Sequence, residues 1–173
     1  MRNVRLLRAY TNHVHLVETH ETPRYVLKVY GTGWREDSGI RYEVDLLDHL
    51  ASRGILVAQA IQGRNGEALQ QTSGGDGKRQ AVIFDFAAGT KPESPFAPAL
   101  YHREGRAVAA LHRASDDFRT PHQRRPLNLE ALIDEPLALV ASLDIDASVA
   151  RFIVDFGRVV RARIEALADA GLD

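Results

Sequence analysis

Lys28 stands in the apolar run Tyr25-Val26-Leu27-Lys28-Val29-Tyr30, and Glu43 follows fifteen residues later at the head of an amphipathic stretch. An ammonium on a strand paired with a carboxylate on the next helix is an arrangement that grips phosphate groups. Side chains alternate along an extended chain, so Val26, Lys28 and Tyr30 share one face while Leu27 and Val29 share the other. That puts a charged head, suited to a phosphate, beside a valine, suited to a flat heterocycle. Either residue alone carries little weight. A strand lysine commonly just faces water, and a glutamate on the wet side of a helix is ordinary.

The elements that must position the pair follow from the pattern. Val4 to Tyr10, His13 to Thr19 and Arg24 to Tyr30 are expected strands, with turns at Thr11-Asn12 and around Glu21-Thr22-Pro23. Glu36 to Arg53 switches to helical spacing, with Ile40, Val44, Leu47 and Leu50/Ala51 on one side and Gly54 as the stop. Ile55 to Ile61 and Glu67 to Gln71 are expected as strands about the turn Arg64-Asn65-Gly66, and Gln80 to Phe86 as another beyond a tip at Ser73 to Lys78. Ala87 to Pro92 breaks the pattern and is a hinge or linker.

The second half is helical: Ala97 to Ala114, Glu135 to Leu143 and Ala147 to Ala168, with a polar loop from Asp116 to Pro126 after the first. The last helix carries the stripe Val149, Phe152, Ile153, Phe156, Val159, Val160, Ile164 and Leu167. A β-rich half followed by a helical half is an α+β arrangement.

Composition narrows the function classes. Twenty-two Lys and Arg against 23 Asp and Glu give a net charge of −1, which argues against nucleic acid or an anionic membrane as partner. The absence of cysteine removes disulfides and thiolate metal sites. The first eight residues have scattered charges and no apolar core, and no stretch approaches a membrane span, so cytoplasm is the default compartment.

Taken in order, these segments resemble the aminoglycoside phosphotransferase and choline kinase superfamily, a branch of the protein-kinase-like fold that includes homoserine kinase type II and bacterial stress-response kinases. The resemblance lies in Tyr10-Thr11-Asn12-His13-Val14, in Arg24 to Tyr30, in Tyr42-Glu43-Val44-Asp45-Leu46-Leu47-Asp48-His49-Leu50 and in Arg53-Gly54-Ile55-Leu56-Val57. It continues through Ala81-Val82-Ile83-Phe84-Asp85-Phe86-Ala87-Ala88-Gly89 and Gly105-Arg106-Ala107-Val108-Ala109-Ala110-Leu111-His112.

The resemblance implies ATP with Mg²⁺ as cofactors and a small-molecule hydroxyl as acceptor. It implies a kinase-like N-lobe over residues 1–89, an antiparallel sheet plus one helix with the hinge, and the first helices of a C-lobe over 90–173. Lys28 would contact the α- and β-phosphates and Glu43 would hold Lys28. Val26 would face adenine, Phe84 would be the gatekeeper, and the backbones of Asp85 and Ala87 would pair with the base. The turn containing Asn12 would cover the phosphates, although it lacks the glycine-rich pattern of protein kinases.

The family's His-Gly-Asp catalytic loop, its following Asn and the later metal-binding Asp have no counterpart in the 173 residues. His112-Arg113-Ala114-Ser115-Asp116 has its Asp two positions late for a His-Arg-Asp loop. Asp155-Phe156-Gly157 spells a metal-binding triplet, yet Phe156 belongs to the helical stripe, so helix interior is the expectation. Ser73 to Lys78 fails the GxxxxGK spacing. His13 and His15 could share a strand face with a metal, but no third ligand has a defined spacing. Arg151, Arg158, Arg161 and Arg163 are a solvated helix face.

The expectation is therefore the nucleotide-gripping N-terminal portion of a kinase, ending before the catalytic loop. Its alternatives are a non-catalytic nucleotide-binding or interaction module, truncated or degenerate, and part of a stress-response-type protein Ser/Thr kinase. The helices left without neighbours would expose apolar surface and favour self-association.

Overall fold

A computed structural model describes residues 2–20, 24–74 and 77–171. The chain divides into two compact units, Met1–Arg124 and Arg125–Asp173. In the first, β1 (Asn3–Ala9), β2 (Asn12–Glu18), β3 (Arg24–Tyr30), β4 (Gln70–Gly74) and β5 (Gly77–Asp85) form one antiparallel sheet in the order β1-β2-β3-β5-β4. Helix α1 (Asp37–Ser52) follows β3, and α2 (Pro98–Ser115) follows β5. The expected α+β class is the observed one.

The sheet's side-chain alternation decides where the core lies. Val26, Lys28 and Tyr30 turn toward α1, together with Leu16, Val82 and Phe84 from the flanking strands. Tyr30, Val82 and Phe84 close on Ile40 and Val44 of α1 and on Leu69, with Val26 and Leu47 at the margin. Ile40 at 0% exposed and Tyr30 at 1% mark the centre. Burying each such side chain contributes about 1.5–3 kcal/mol. Gly54, at φ +76°, ends α1 beyond Arg53.

Two strand expectations change. Ile55 to Ile61 forms no ladder strand; Ala60 makes a single bridge to Phe84, while Ile61 N–H donates to the Ile83 carbonyl and Asp85 N–H to that of Gln59. β5 is thus shared along one edge: its first half pairs with β4, and its second half meets this short segment. β4 begins at Gln70, so Glu67 to Leu69 stays outside it. The expected turn at Glu21 to Pro23 and the tip residues Gly75 and Asp76 lie outside the described residues.

In the second unit, a single π turn (Glu130–Asp134) leads into α3 (Glu135–Ser142), and α4 (Ala147–Asp169) packs on α3. The sequence pattern showed α3 but not the π turn. Pro136 lacks the N–H that a regular ladder would use, and the turn widens so that Glu135 N–H reaches the Glu130 carbonyl. Asp146 caps α4, its carboxylate accepting from the N–H groups of Ser148 at 2.9 Å and Val149 at 3.2 Å. Among the described residues no helix is long and apolar enough to cross a membrane.

Candidate functional site: the Lys28–Glu43 pair

The pair expected from spacing is formed. Lys28 Nζ donates to Glu43 Oε1 at 2.7 Å, with both side chains partly buried. β3 supplies the lysine and the second turn of α1 the glutamate, so packing Ile40 and Val44 under the sheet brings the two together. The ammonium also lies 4.5 Å from the centre of the Tyr30 ring and 6.0 Å from that of Phe84. Val26 and Phe84 face each other across β3 and β5, so an apolar surface adjoins the charge on the same face.

Glu43 holds more than the lysine. Its Oε2 accepts from the Tyr30 hydroxyl at 3.3 Å and from Arg35 at 3.0 Å. Burial, and then the Glu43 carboxylate, push the Tyr30 phenol well above its ordinary value, so it stays a donor at neutral pH. Tyr30 shows in the sequence as a core aromatic, and nothing local reports that its hydroxyl reaches Glu43. Arg35 sits in a polar loop with no distinguishing pattern.

The other expected site residues are placed as follows. Asn12 opens β2, and its side-chain oxygen accepts from Gly31 N–H at 3.2 Å. The turn before β2 is therefore tied to the end of β3, two residues beyond Val29. Phe84 is buried, while Asp85 and Ala87 are exposed just beyond it. Asp85 N–H is engaged by Gln59. Phe86 is covered by the Arg24 guanidinium, 4.2 Å from the ring centre.

The rejected motifs also have definite places. Asp155-Phe156-Gly157 lies inside α4, where Asp155 pairs with Arg158 at 3.3 Å, one turn on. The His13 and His15 rings are 6.4 Å apart, but His13 Nδ1 faces the Arg79 guanidinium at 3.3 Å, a poor neighbour for a metal cation. Among the described residues no group of three or more His, Cys, Asp or Glu could hold a metal ion. A cavity of about 270 Å³ opens instead on the flank of α1 away from Glu43, beside Asp45, Asp48 and Glu67. Arg41 and His122 line it as well, but Arg41 is paired with Glu67, which leaves Asp45 and Asp48 to give the concavity an acidic balance unsuited to phosphate.

The flank of α1 away from Glu43 is strapped by the loop after α2. Thr120 donates to Asp45, Gln123 N–H donates to Ser38 Oγ at 2.8 Å, and Arg53 pairs with Asp117. Phe118 stands edge-on to Tyr42 at 5.3 Å. The strap was not legible in the sequence, since its contacts join residues 64 to 85 positions apart.

A five-stranded antiparallel sheet with one helix against it, and a lysine–glutamate pair between them, defines a protein-kinase-like fold. The chain belongs to the phosphotransferase enzyme family (APH), whose profile matches residues 3–172. It is 34% identical over 144 residues to a homoserine kinase of Methylobacterium nodulans, covering 82% of this chain and 41% of that protein. Among solved structures, the microcompartment-associated aminopropanol kinase superposes with a TM-score of 0.65 at 25% identity, over 77% of this chain and 42% of that one. An amicoumacin kinase, solved with AMP-PNP, Ca²⁺ and Ami, shares the fold with a TM-score of 0.66 at 21% identity, over 83% of this chain and 49% of that one. The chain thus spans less than half the length of each.

Proposed function

We propose that the chain is the nucleotide-gripping part of an ATP-dependent phosphotransferase acting on a small-molecule hydroxyl. One observation carries the reading: Lys28 is held by Glu43 at 2.7 Å beside the apolar pair Val26 and Phe84. In this reading the triphosphate meets Lys28, and adenine lies against Val26. Phe84 closes the back of the slot, and the backbones of Asp85 and Ala87 pair with the base edge. With its oxygen on Gly31, the Asn12 carboxamide keeps its NH₂ group as the donor toward a phosphate. Residues 1–89 are the lobe that grips, and 90–173 begin the helical lobe. The names of the relatives, a homoserine kinase and an aminopropanol kinase, favour a small hydroxylated acceptor.

The nucleotide fits these residues in part, since a cation, an apolar wall and an exposed backbone edge are all present. The metal does not find a ligand set among the described residues, so no step is assigned to Mg²⁺ on this chain. Nor does any of the 173 residues form a His-Gly-Asp loop, and the one Asp-Phe-Gly lies in a helix. A second reading is a module that binds nucleotide without transferring phosphate. Self-association through the apolar face of α4, where Phe152 is 69% exposed and stacks on Phe156, is a further proposal. A strictly monomeric species in sedimentation at high concentration counts against it.

The test is titration of the chain with Mg²⁺–AMP-PNP. Millimolar affinity is expected, about 4 kcal/mol of binding and not the about 8 kcal/mol of a micromolar site. Lys28→Ala should abolish it. Binding that survives Lys28→Ala sinks the nucleotide reading. Robust ATP turnover abolished by Asp155→Ala would reinstate the triplet.

A further inference from the structure

We infer that Tyr30 is a positioning residue for the Lys28–Glu43 pair: its buried hydroxyl holds Glu43 Oε2, reserves Oε1 for Lys28 and keeps the pair assembled before any ligand arrives. The inference deepens the proposed function and rests on Lys28 being the phosphate ligand.

A carboxylate presents two oxygens, and rotation about its last torsion is soft. With Lys28 as the only partner, the carboxylate could turn and the ammonium could follow either oxygen. The Tyr30 hydroxyl, 3.3 Å from Oε2, restricts that freedom. Its own freedom is already gone. The side chain is 1% exposed, the Tyr30 carbonyl accepts from Arg79 Nε at 3.0 Å, and the next residue's N–H is held by Asn12. The same ring lies beneath the lysine, 4.5 Å from Nζ, so one side chain touches both members of the pair.

Arg35 reaches the same oxygen at 3.0 Å, but its side chain is 47% exposed. An exposed ion pair is screened by water and costs the entropy of a long side chain, so it contributes little. A buried tyrosine fixed at both backbone ends holds its donor at far smaller entropic cost. The Tyr30 contact at 3.3 Å is longer than that of Arg35 at 3.0 Å, so it is burial and low entropic cost, not bond length, that give Tyr30 the larger share.

The chain has three lysines, Lys28, Lys78 and Lys91, so lysine-labelled NMR gives three side-chain ammonium signals. Tyr30→Phe keeps the ring and removes only the hydroxyl. It should move the Lys28 signal toward those of Lys78 and Lys91, and weaken Mg²⁺–AMP-PNP binding about threefold to tenfold, the loss of one hydrogen bond. Arg35→Gln should change both readouts less. A Lys28 signal unmoved by Tyr30→Phe, or moved more by Arg35→Gln, overturns the inference. If Lys28→Ala leaves AMP-PNP binding unchanged, the phosphate reading fails, and the ammonium signal still decides the role of Tyr30. Should Tyr30→Phe not fold, the wild type decides: a hydroxyl held on Glu43 gives a slowly exchanging proton at low temperature, and its absence overturns the inference.

Discussion

The Cβ that Gly31 lacks would lie 2.3 Å from the carbonyl oxygen of Thr11. Backbone meets backbone there, between the end of β3 and the turn before β2, and the Asn12 side chain seals the contact through Gly31 N–H. Gly31 therefore joins the turn to the lysine strand, next to Tyr30, whose hydroxyl reaches Glu43 of α1.

Gly31→Ala forces that backbone apart. It should destabilise the chain by about 1–3 kcal/mol, as overpacking does. Urea unfolding followed by circular dichroism measures this, and an unchanged midpoint would mean the turn moves freely. Asn12→Ala should cost less, since it removes one partly buried hydrogen bond, about 0.5–1.5 kcal/mol.

Gly157 carries a similar constraint in the second unit. A Cβ there would meet the Leu137 methyls at 2.6 and 2.7 Å. In a helix interior alanine is better than glycine by about 1 kcal/mol, so the clash must exceed that gain if Gly157→Ala is to destabilise. We expect a net loss that Leu137→Ala partly reverses, a coupling that a double-mutant cycle reads directly. Simple additivity would show that Leu137 moves aside.

Asp48 sits in the acidic concavity behind α1. Burial, and then its neighbour Asp45, raise its carboxyl above the ordinary value, while the Gln59 side chain lowers it. A carboxyl raised on folding costs stability whenever it is ionised, so Asp48→Asn should stabilise the chain at pH 7. That advantage should fade as pH falls from the raised folded value to the unfolded one, near pH 4, below which both states are protonated. Thermal unfolding of both proteins between pH 3 and 7 checks the sign, and a destabilised variant at pH 7 would refute it.

Asp146 predicts the opposite pH dependence. The Ser148 hydroxyl, followed by the Val149 and Ser148 amides, holds its carboxyl below the ordinary value. A group depressed on folding stabilises above its unfolded pKa, and that contribution is lost as pH falls through the folded value. Asp146→Asn, itself a good cap, should therefore show a flatter acid limb in helicity than the wild type. Identical acid limbs would mean the cap does not titrate with α4.

What the sequence made legible was periodic. Strand alternation around Lys28 and the 3.6 spacing of Ile40, Val44 and Leu47 sufficed to bring lysine and glutamate onto one face. Ile55 to Ile61 misled because its apolar run reads as a strand, while the β5 edge it would use is already half taken by β4. Tyr30, Arg35 and the strap from Asp116 to Arg124 were illegible for a different reason. Their contacts are set by side chains meeting across sequence gaps, and no local pattern encodes such meetings.

The strap bears on what could ever control the site. Glu43 stands on a helix braced along both flanks, by the sheet core at Ile40 and Val44 and by Thr120, Gln123 and Asp117 behind. A beam fixed on both sides does not swing as a lever. Rotating α1 outward would have to break these tethers together with the His49–Ala114 hydrogen bond and the Tyr42–Phe118 contact. The short span between Gly31 and Glu36 carries Arg35 and runs from the lysine strand into this braced helix.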